Sequence, residues 1–280
     1  MSDRRVKAAD VALCVAAAVA VVAAVVFGIP GIIGYGDSRV ERLVTDTVPR
    51  AAVCVPLVML LLRSDESKAY LTVRRGWGKA LLWSIPCFAV AIVNFPFSAM
   101  IRGAATVTRV DLLWLFLLKC ASIALLEELF FRALVVPLAK SRIGGRYATL
   151  WAVLLSAAVF GLMHIINLFF GAGIGATLLQ VGYTFLIGCM LAVMLLKTGN
   201  VWLCVITHFV FDVGGMIITD LGRGLFQDTA FRISTAVVGV LATAYVIATV
   251  VCLVRKECAE KKREADAEDA ENRNGGSEHE

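Results

Sequence analysis

Eight stretches, each about as long as a bilayer is thick and nearly free of charge, set the terms on which this chain can fold. A helix needs roughly 20 mostly apolar residues to cross the hydrocarbon, where no water is present to satisfy an irregular backbone. The segments at about 11–33, 48–63, 80–99, 112–139, 147–170, 174–196, 201–219 and 233–254 are the candidates, the second of them short and the fourth and fifth long enough to tilt. With 59% hydrophobic residues and a mean hydropathy of +0.81, the composition is far from that of a water-soluble domain. The expectation is an all-α, polytopic transmembrane bundle of about eight helices over 1–254, followed by a charged tail at 255–280. The first stretch is too long for a signal peptide and lacks a small-residue cleavage site before a polar mature region, so it reads as a retained helix.

Charge distribution orients the bundle. Cytoplasmic loops are the richer in Lys and Arg. With the N-terminus inside, and Arg50 and Arg63 at the ends of the second span counted with their loops, the inner segments hold 18 of these residues and the outer segments 7, which leaves only Lys119 and Arg132 within the spans. Both termini are therefore expected in the cytoplasm. The formal charge of +5 follows from this bias and from attraction to anionic headgroups. Nucleic acid is not an expected partner, because no basic surface interleaved with aromatics is present.

The eight cysteines include no CxxC pair, and all but Cys258 fall in apolar spans, so they read as packing residues. The loop 64–79, with Arg74, Arg75, Trp77 and Lys79, reads as an interfacial anchor. Gly171, Gly173 and Gly175 mark a short or re-entrant connection. Thr177, Gln180 and Thr184 recur at helical spacing, a polar stripe that should face protein or water rather than lipid. The tail turns from basic to acidic and then to Asn, Gly and Ser. Its beginning could extend the last helix, and the remainder is expected to be disordered.

Glu127 and Glu128 stand side by side in the fourth span, with Arg132 one turn after Glu128. An ionisable group at membrane depth costs about 2.5–3.5 kcal/mol even on the lenient insertion scale, so the pair requires a reason. Glu128 and Arg132 are i,i+4 neighbours able to pair, while Glu127 points about 100° away. One carboxylate can thus be structural and the other left free to act as a base. A buried Glu–Arg pair that only locks helices together would account for the same residues.

Two of the three histidines, His164 and His208, lie in apolar helices, and His279 lies in the tail. Asp212 shares a helix face with His208, and Phe160 stands one turn before His164. Glu127, Glu128, His164, His208 and Asp212 are group types suited to activating water or holding a divalent ion such as zinc. No HExxH segment is present. Measured along their spans, Glu127 lies about 12 residues from the inner end, His208 about 7 and His164 about 17. Perpendicular helices would not bring them together, so tilt or shifted helix ends are required.

These residues carry a resemblance. Glu127-Glu128-Leu-Phe-Phe-Arg132 fits EExxxR, Phe160-Gly-Leu-Met-His164 fits FxxxH, and His208-Phe-Val-Phe-Asp212 fits HxxxN/D. In that order they resemble the CPBP intramembrane proteases, the family of CAAX prenyl endopeptidases and bacteriocin-processing or immunity proteins. The resemblance covers about residues 112–219. It implies a membrane-embedded endopeptidase in which Glu127 with His164 prepares a water, His208 with Asp212 stabilises developing charge, and Glu128, Arg132 and Phe160 support the site. Glu127, His164, His208 and Asp212 are the implied ligands if a divalent metal, such as Zn, is held. Where prenyl-processing members have Asn, this chain has Asp212. An ionised carboxylate cannot donate a hydrogen bond, so Asp212 is protonated, a metal ligand or an orienter of His208. The expected substrate is a membrane-associated, prenylated or leader-type peptide, and the expected location a bacterial plasma membrane rather than the endoplasmic reticulum. Two other functions fit buried Glu, His and Asp: a proton-coupled transporter, and a non-catalytic immunity or scaffold protein.

Overall fold

The structure is a computed structural model that describes residues 38–72 and 76–275, with Ala16 and Val19 in helical conformation; side chains are described through residue 267. The first expected span, 11–33, therefore lies outside the described residues apart from those two. The described helices are α1 (Ser38–Leu61), α2 (Asp65–Leu71), α3 (Trp77–Val93), α4 (Phe97–Ile101), α5 (Leu113–Glu128), α6 (Val136–Ile143), α7 (Ala148–Met163), α8 (Ile174–Thr198), α9 (Val201–Leu221) and α10 (Thr229–Gly275). The chain is an all-α bundle. By length and composition, five helical rods are able to cross a membrane: α1, α7 with its extension to Phe170, α8, α9, and α10 to Ala267; α3 is a shorter apolar helix.

Several boundaries differ from the expected ones for physical reasons. The span expected at 48–63 begins at Ser38, because Arg50 folds back on Asp46 one turn earlier and Asp46 is neutralised by Lys119, making charge tolerable inside the helix. The span expected at 80–99 ends at Val93. Pro96 lacks an N–H and restricts the residue before it, so the chain breaks there before α4. The last helix runs on through the beginning of the tail, where an extension was expected, and further to Gly275, where disorder was expected; the segment is rich in Ala, Glu, Lys and Arg, all strong helix formers. Lys256 and Glu260 form an i,i+4 pair there, and Glu257 accepts a hydrogen bond from the Thr149 backbone at the start of α7.

Between α5 and α6 the rod does not stop but widens into a π-helical segment, Leu129–Val135. Pro137 cannot donate a hydrogen bond, and in an α-helix its ring would press on the carbonyl of Ala133. The wider winding relieves this, with the Val136 N–H reaching back to Phe131. Ser156 of α7 also donates to the Phe131 carbonyl. In the same way α7 passes at His164 into a 3-10 segment, His164–Phe170. Such changes of winding are frequent at functional sites.

Two apolar clusters show how the rods align. Leu43 packs with Leu112, Leu115, Phe116 and Leu221, whereas Leu57 and Leu61 share a cluster with Leu126, Leu129, Leu203 and Cys204. Thus α1 and α5 run parallel and α9 runs antiparallel to both. Thr177 and Thr184 of the polar stripe are buried and bond carbonyls of their own helix, while Gln180 accepts from Asn167. Cys54, Cys87, Cys120, Cys189 and Cys204 are buried free thiols. Connection 64–79 carries α2, whose C-terminal Leu71 carbonyl accepts from the Trp202 indole.

One feature had no expectation. Ala105–Val107 (β1) pairs antiparallel with Gly222–Gly224 (β2). A Cβ on Gly224 would lie 2.2 Å from the Ala104 carbonyl, and its φ is +106°, so only glycine lets the strands meet there. Beside them Asp228 caps α10. Its carboxylate accepts from the Phe231 backbone, from Ser98 and from Arg102. The Phe231 N–H and the Ser98 hydroxyl, ahead of Arg102, hold the Asp228 carboxyl below the usual carboxylate range. A depressed folded value makes this contribution complete above the unfolded value near pH 4 and lost as pH falls through the folded one. Asp228→Asn is therefore expected to lower the midpoint of thermal unfolding at pH 7, the gap from wild type closing below about pH 4. An equal gap at both pH values would refute the assignment.

Candidate active site

The widened turn after Glu128 and the antiparallel approach of α9 bring the two glutamates onto His208. Its Nδ1 lies 2.7 Å from Glu128 Oε1. The other oxygen of Glu128 lies 3.1 Å from Arg132 Nε, and both side chains are fully buried. None of the guanidinium nitrogens makes an aligned hydrogen bond. Instead the guanidinium carbon lies 4.5 Å from the centroid of the Phe160 ring, a cation–π contact that strengthens where water is excluded. Glu128 is thus held from both sides.

Glu127 is placed differently. Its Oε2 is 3.8 Å from His208 Nε2, beyond direct hydrogen bonding, and its side chain retains 22% exposure. His164 and Arg50 are both within electrostatic reach of it. Asp212 Oδ1 stands 3.5 Å from the same His208 Nε2, and Asp212 Oδ2 is buried without a hydrogen-bond partner. One imidazole therefore presents Nδ1 to Glu128 and Nε2 to a gap edged by Glu127 and Asp212.

Phe160 organises the other flank. Its ring meets His164 edge-on at 5.4 Å and His208 edge-on at 6.0 Å, and Phe131 at 5.1 Å. His164 Nδ1 is 3.0 Å from the Phe160 carbonyl. With Nδ1–H donating, Nε2 is an acceptor. The expected site residues Glu127, Glu128, Arg132, Phe160, His208 and Asp212 are brought together, and His164 joins them through Phe160. Glu127 and Asp212 both stand beside His208 Nε2, and His164 adjoins them through the Phe160 ring.

Among the described residues no group of three or more His, Cys, Asp or Glu side chains is placed to hold a metal ion. Glu128 engages His208 Nδ1 and the Phe160 carbonyl faces His164 Nδ1, which leaves the two Nε2 atoms as the open ring nitrogens.

Sequence reasoning did not find the brace behind Asp212. Asn94, at the end of α3, donates to the Phe211 carbonyl at 2.7 Å. Gly214 and Gly215 make room for it: a Cβ on Gly214 would lie 2.6 Å from the Phe95 ring, and one on Gly215 2.8 Å from Asn94 Nδ2. Gly214→Ala is expected to cost about 1–3 kcal/mol by overpacking, read as a lower unfolding midpoint in detergent, and unchanged stability would show that α3 yields freely. The second missed set is ionic. Lys119, only 9% exposed, binds Asp46 of α1 at 2.9 Å and Asp220 of α9 at 3.0 Å. Its one signal in the sequence was a lysine inside an apolar span.

Residues 109–214, which are 106 of the 280 and include every site residue named above, match the family model described as type II CAAX prenyl endopeptidase Rce1-like. This match is consistent with the CPBP resemblance. It supports an intramembrane endopeptidase in general terms, and with the apolar rods a multi-pass membrane protein. No curated protein and no solved structure matched the chain.

Proposed function

We propose that the protein is an intramembrane endopeptidase in which Glu127 activates the attacking water. The reading is carried by the unequal standing of two adjacent carboxylates. Glu128 is committed to His208 and Arg132, while Glu127 faces the same imidazole across a gap too long for a direct bond and within reach through one water. In this reading Glu127 takes a proton from water as the water oxygen bonds to the scissile carbonyl carbon and the carbonyl π electrons move onto oxygen. His208, as imidazolium with Nδ1–H on Glu128, donates from Nε2 to that oxyanion. When the C–N bond breaks, the proton on Glu127 passes to the leaving amine. His164 helps orient the water, and Asp212 balances and orients His208 rather than donating to the oxyanion. As placed, the donor set does not fit a metal ion, so no step is routed through one.

The substrate class is a peptide or protein segment at the membrane, prenylated or leader-type. The Lys and Arg bias supports both termini in the cytoplasm, and a bacterial plasma membrane is the proposed location. The test is cleavage of a fluorogenic membrane peptide by detergent-purified protein. Wild type is expected to turn over, with Glu127→Gln and His164→Ala severely impaired. Equal turnover by all three would overturn the assignment.

A further inference from the structure

With Asp212 orienting His208, the oxyanion formed during cleavage is left with one donor, His208 Nε2. Such a charge is ordinarily met by two or more preorganised donors. Asp212 Oδ2 is itself buried without a hydrogen-bond partner, and an ionised carboxylate donates nothing.

A tyrosine on α8 comes up to this side of the gap. α7 and α8 are antiparallel, and their close approaches fix the register: Gly188 lies against Ala157 and Phe160, and Gly161 against Val181 and Phe185. Tyr183 is therefore level with Gly161. Helical side chains lean toward the N-terminus of their own helix, which carries its ring toward the level of His164. Residues three apart eclipse in a 3-10 helix, so Asn167 stands on the same face as His164, about 6 Å further along. Asn167 donates to Gln180 Oε1 at 2.9 Å, which leaves Gln180 Nε2 as the atom that donates onward. Its partner is the Tyr183 hydroxyl, one turn along α8, and Tyr183 is within electrostatic reach of Asp212. The Tyr183 side chain is not sealed off, at 41% exposure. A phenol accepts and donates at once. Having accepted from Gln180, this one still has its proton to give, and among the described residues no acceptor takes it.

We propose that the Tyr183 hydroxyl is the second donor to the carbonyl oxygen that takes up charge, acting beside His208 Nε2. This rests on the peptidase reading above. The hydroxyl keeps its proton throughout; its hydrogen bond strengthens as the carbonyl π electrons move onto oxygen and relaxes when the C–N bond breaks. Asn167 and Gln180 are positioning residues that occupy the acceptor side of the phenol and so direct its proton to the substrate.

The experiment uses the full chain in detergent with a fluorogenic peptide and its phosphinate isostere, which places a tetrahedral anion where the bond is cleaved. Tyr183→Phe removes only the hydroxyl. It should lower kcat by about a hundredfold while KM and the unfolding midpoint stay near wild type, whereas a structural role would move the midpoint. Gln180→Leu should lower kcat in the same direction by less. Independently, the phosphinate should raise the midpoint of wild type more than the parent peptide does, and Tyr183→Phe should lose that excess. If wild type does not cleave, a Tyr183-dependent phosphinate shift would remove the peptidase reading and keep the donor. Turnover by Tyr183→Phe within about threefold of wild type, far less than the loss of one such donor costs, would overturn the proposal. So would an equal phosphinate shift in both proteins, or none in wild type.

Discussion

Replacing Arg132 with leucine is expected to cost about 3–5 kcal/mol of stability, because it strips one partner from a fully buried pair and leaves the buried Glu128 with His208 alone. Both side chains have no solvent exposure, so water cannot replace what is lost. Substitution by lysine should rescue little. The guanidinium carbon lies 4.5 Å from the Phe160 ring centroid, and a lysine ammonium keeps the charge while losing the planar, delocalised group. The measurement is thermal or denaturant unfolding in detergent, comparing Arg132→Leu, Arg132→Lys, Glu128→Leu and the double variant Glu128→Leu, Arg132→Leu. If the pair is held as described, the loss in the double variant should be smaller than those of Arg132→Leu and Glu128→Leu added together, since each single change strands the other's partner. A single-variant loss below about 1 kcal/mol, as at an exposed pair, would contradict the burial.

The opposite signature is expected one residue earlier. Glu127→Gln should reduce kcat by roughly a hundredfold to ten-thousandfold, the usual contribution of a positioned general base, while leaving the unfolding midpoint nearly unchanged. Glu127 accepts no direct hydrogen bond from His208 and keeps part of its surface exposed, so the amide fits where the carboxylate was. Two adjacent glutamates on one helix would then separate cleanly, one by stability and the other by turnover. Residual activity in Glu127→Gln within about threefold of wild type would transfer the base role elsewhere, with Asp212, whose Oδ2 is buried and unpartnered, as the first candidate; a general base contributes at least about a hundredfold.

The separation of the two glutamates was legible before the fold was described, because i,i+4 spacing pairs Glu128 with Arg132 and turns Glu127 away. The order of the apolar runs was legible too, since burial in lipid leaves few alternatives to helices. The changes of winding were not. An apolar sequence such as Leu129–Val135 reads the same in α and π form, and only Pro137 hints that the regular ladder must give. The expected span 48–63 leaves Asp46 outside and Arg50 at its edge, since charge argues against a membrane helix until its partner is known. That partner, Lys119, lies some seventy residues away in sequence. The bond from Glu128 to His208 was equally hidden, as its two ends belong to separate motifs. The strand pair failed for a different reason: Gly222-Arg-Gly224 has no apolar alternation to announce it.

The span of that bond sets a constraint on how the protein is made. Glu128 and His208 are 80 residues apart, and at about 5–20 residues per second of synthesis the ribosome needs roughly 4–16 seconds to deliver the second after the first. Throughout that interval α5 and the π-helical segment after it carry Lys119, Glu127, Glu128 and Arg132 with neither Asp220 nor His208 yet available. A helix so charged cannot be released singly into lipid at low cost. Asp46 of α1 is already at hand for Lys119 and Arg132 for Glu128, but the set of partners is complete only once α9 has been made.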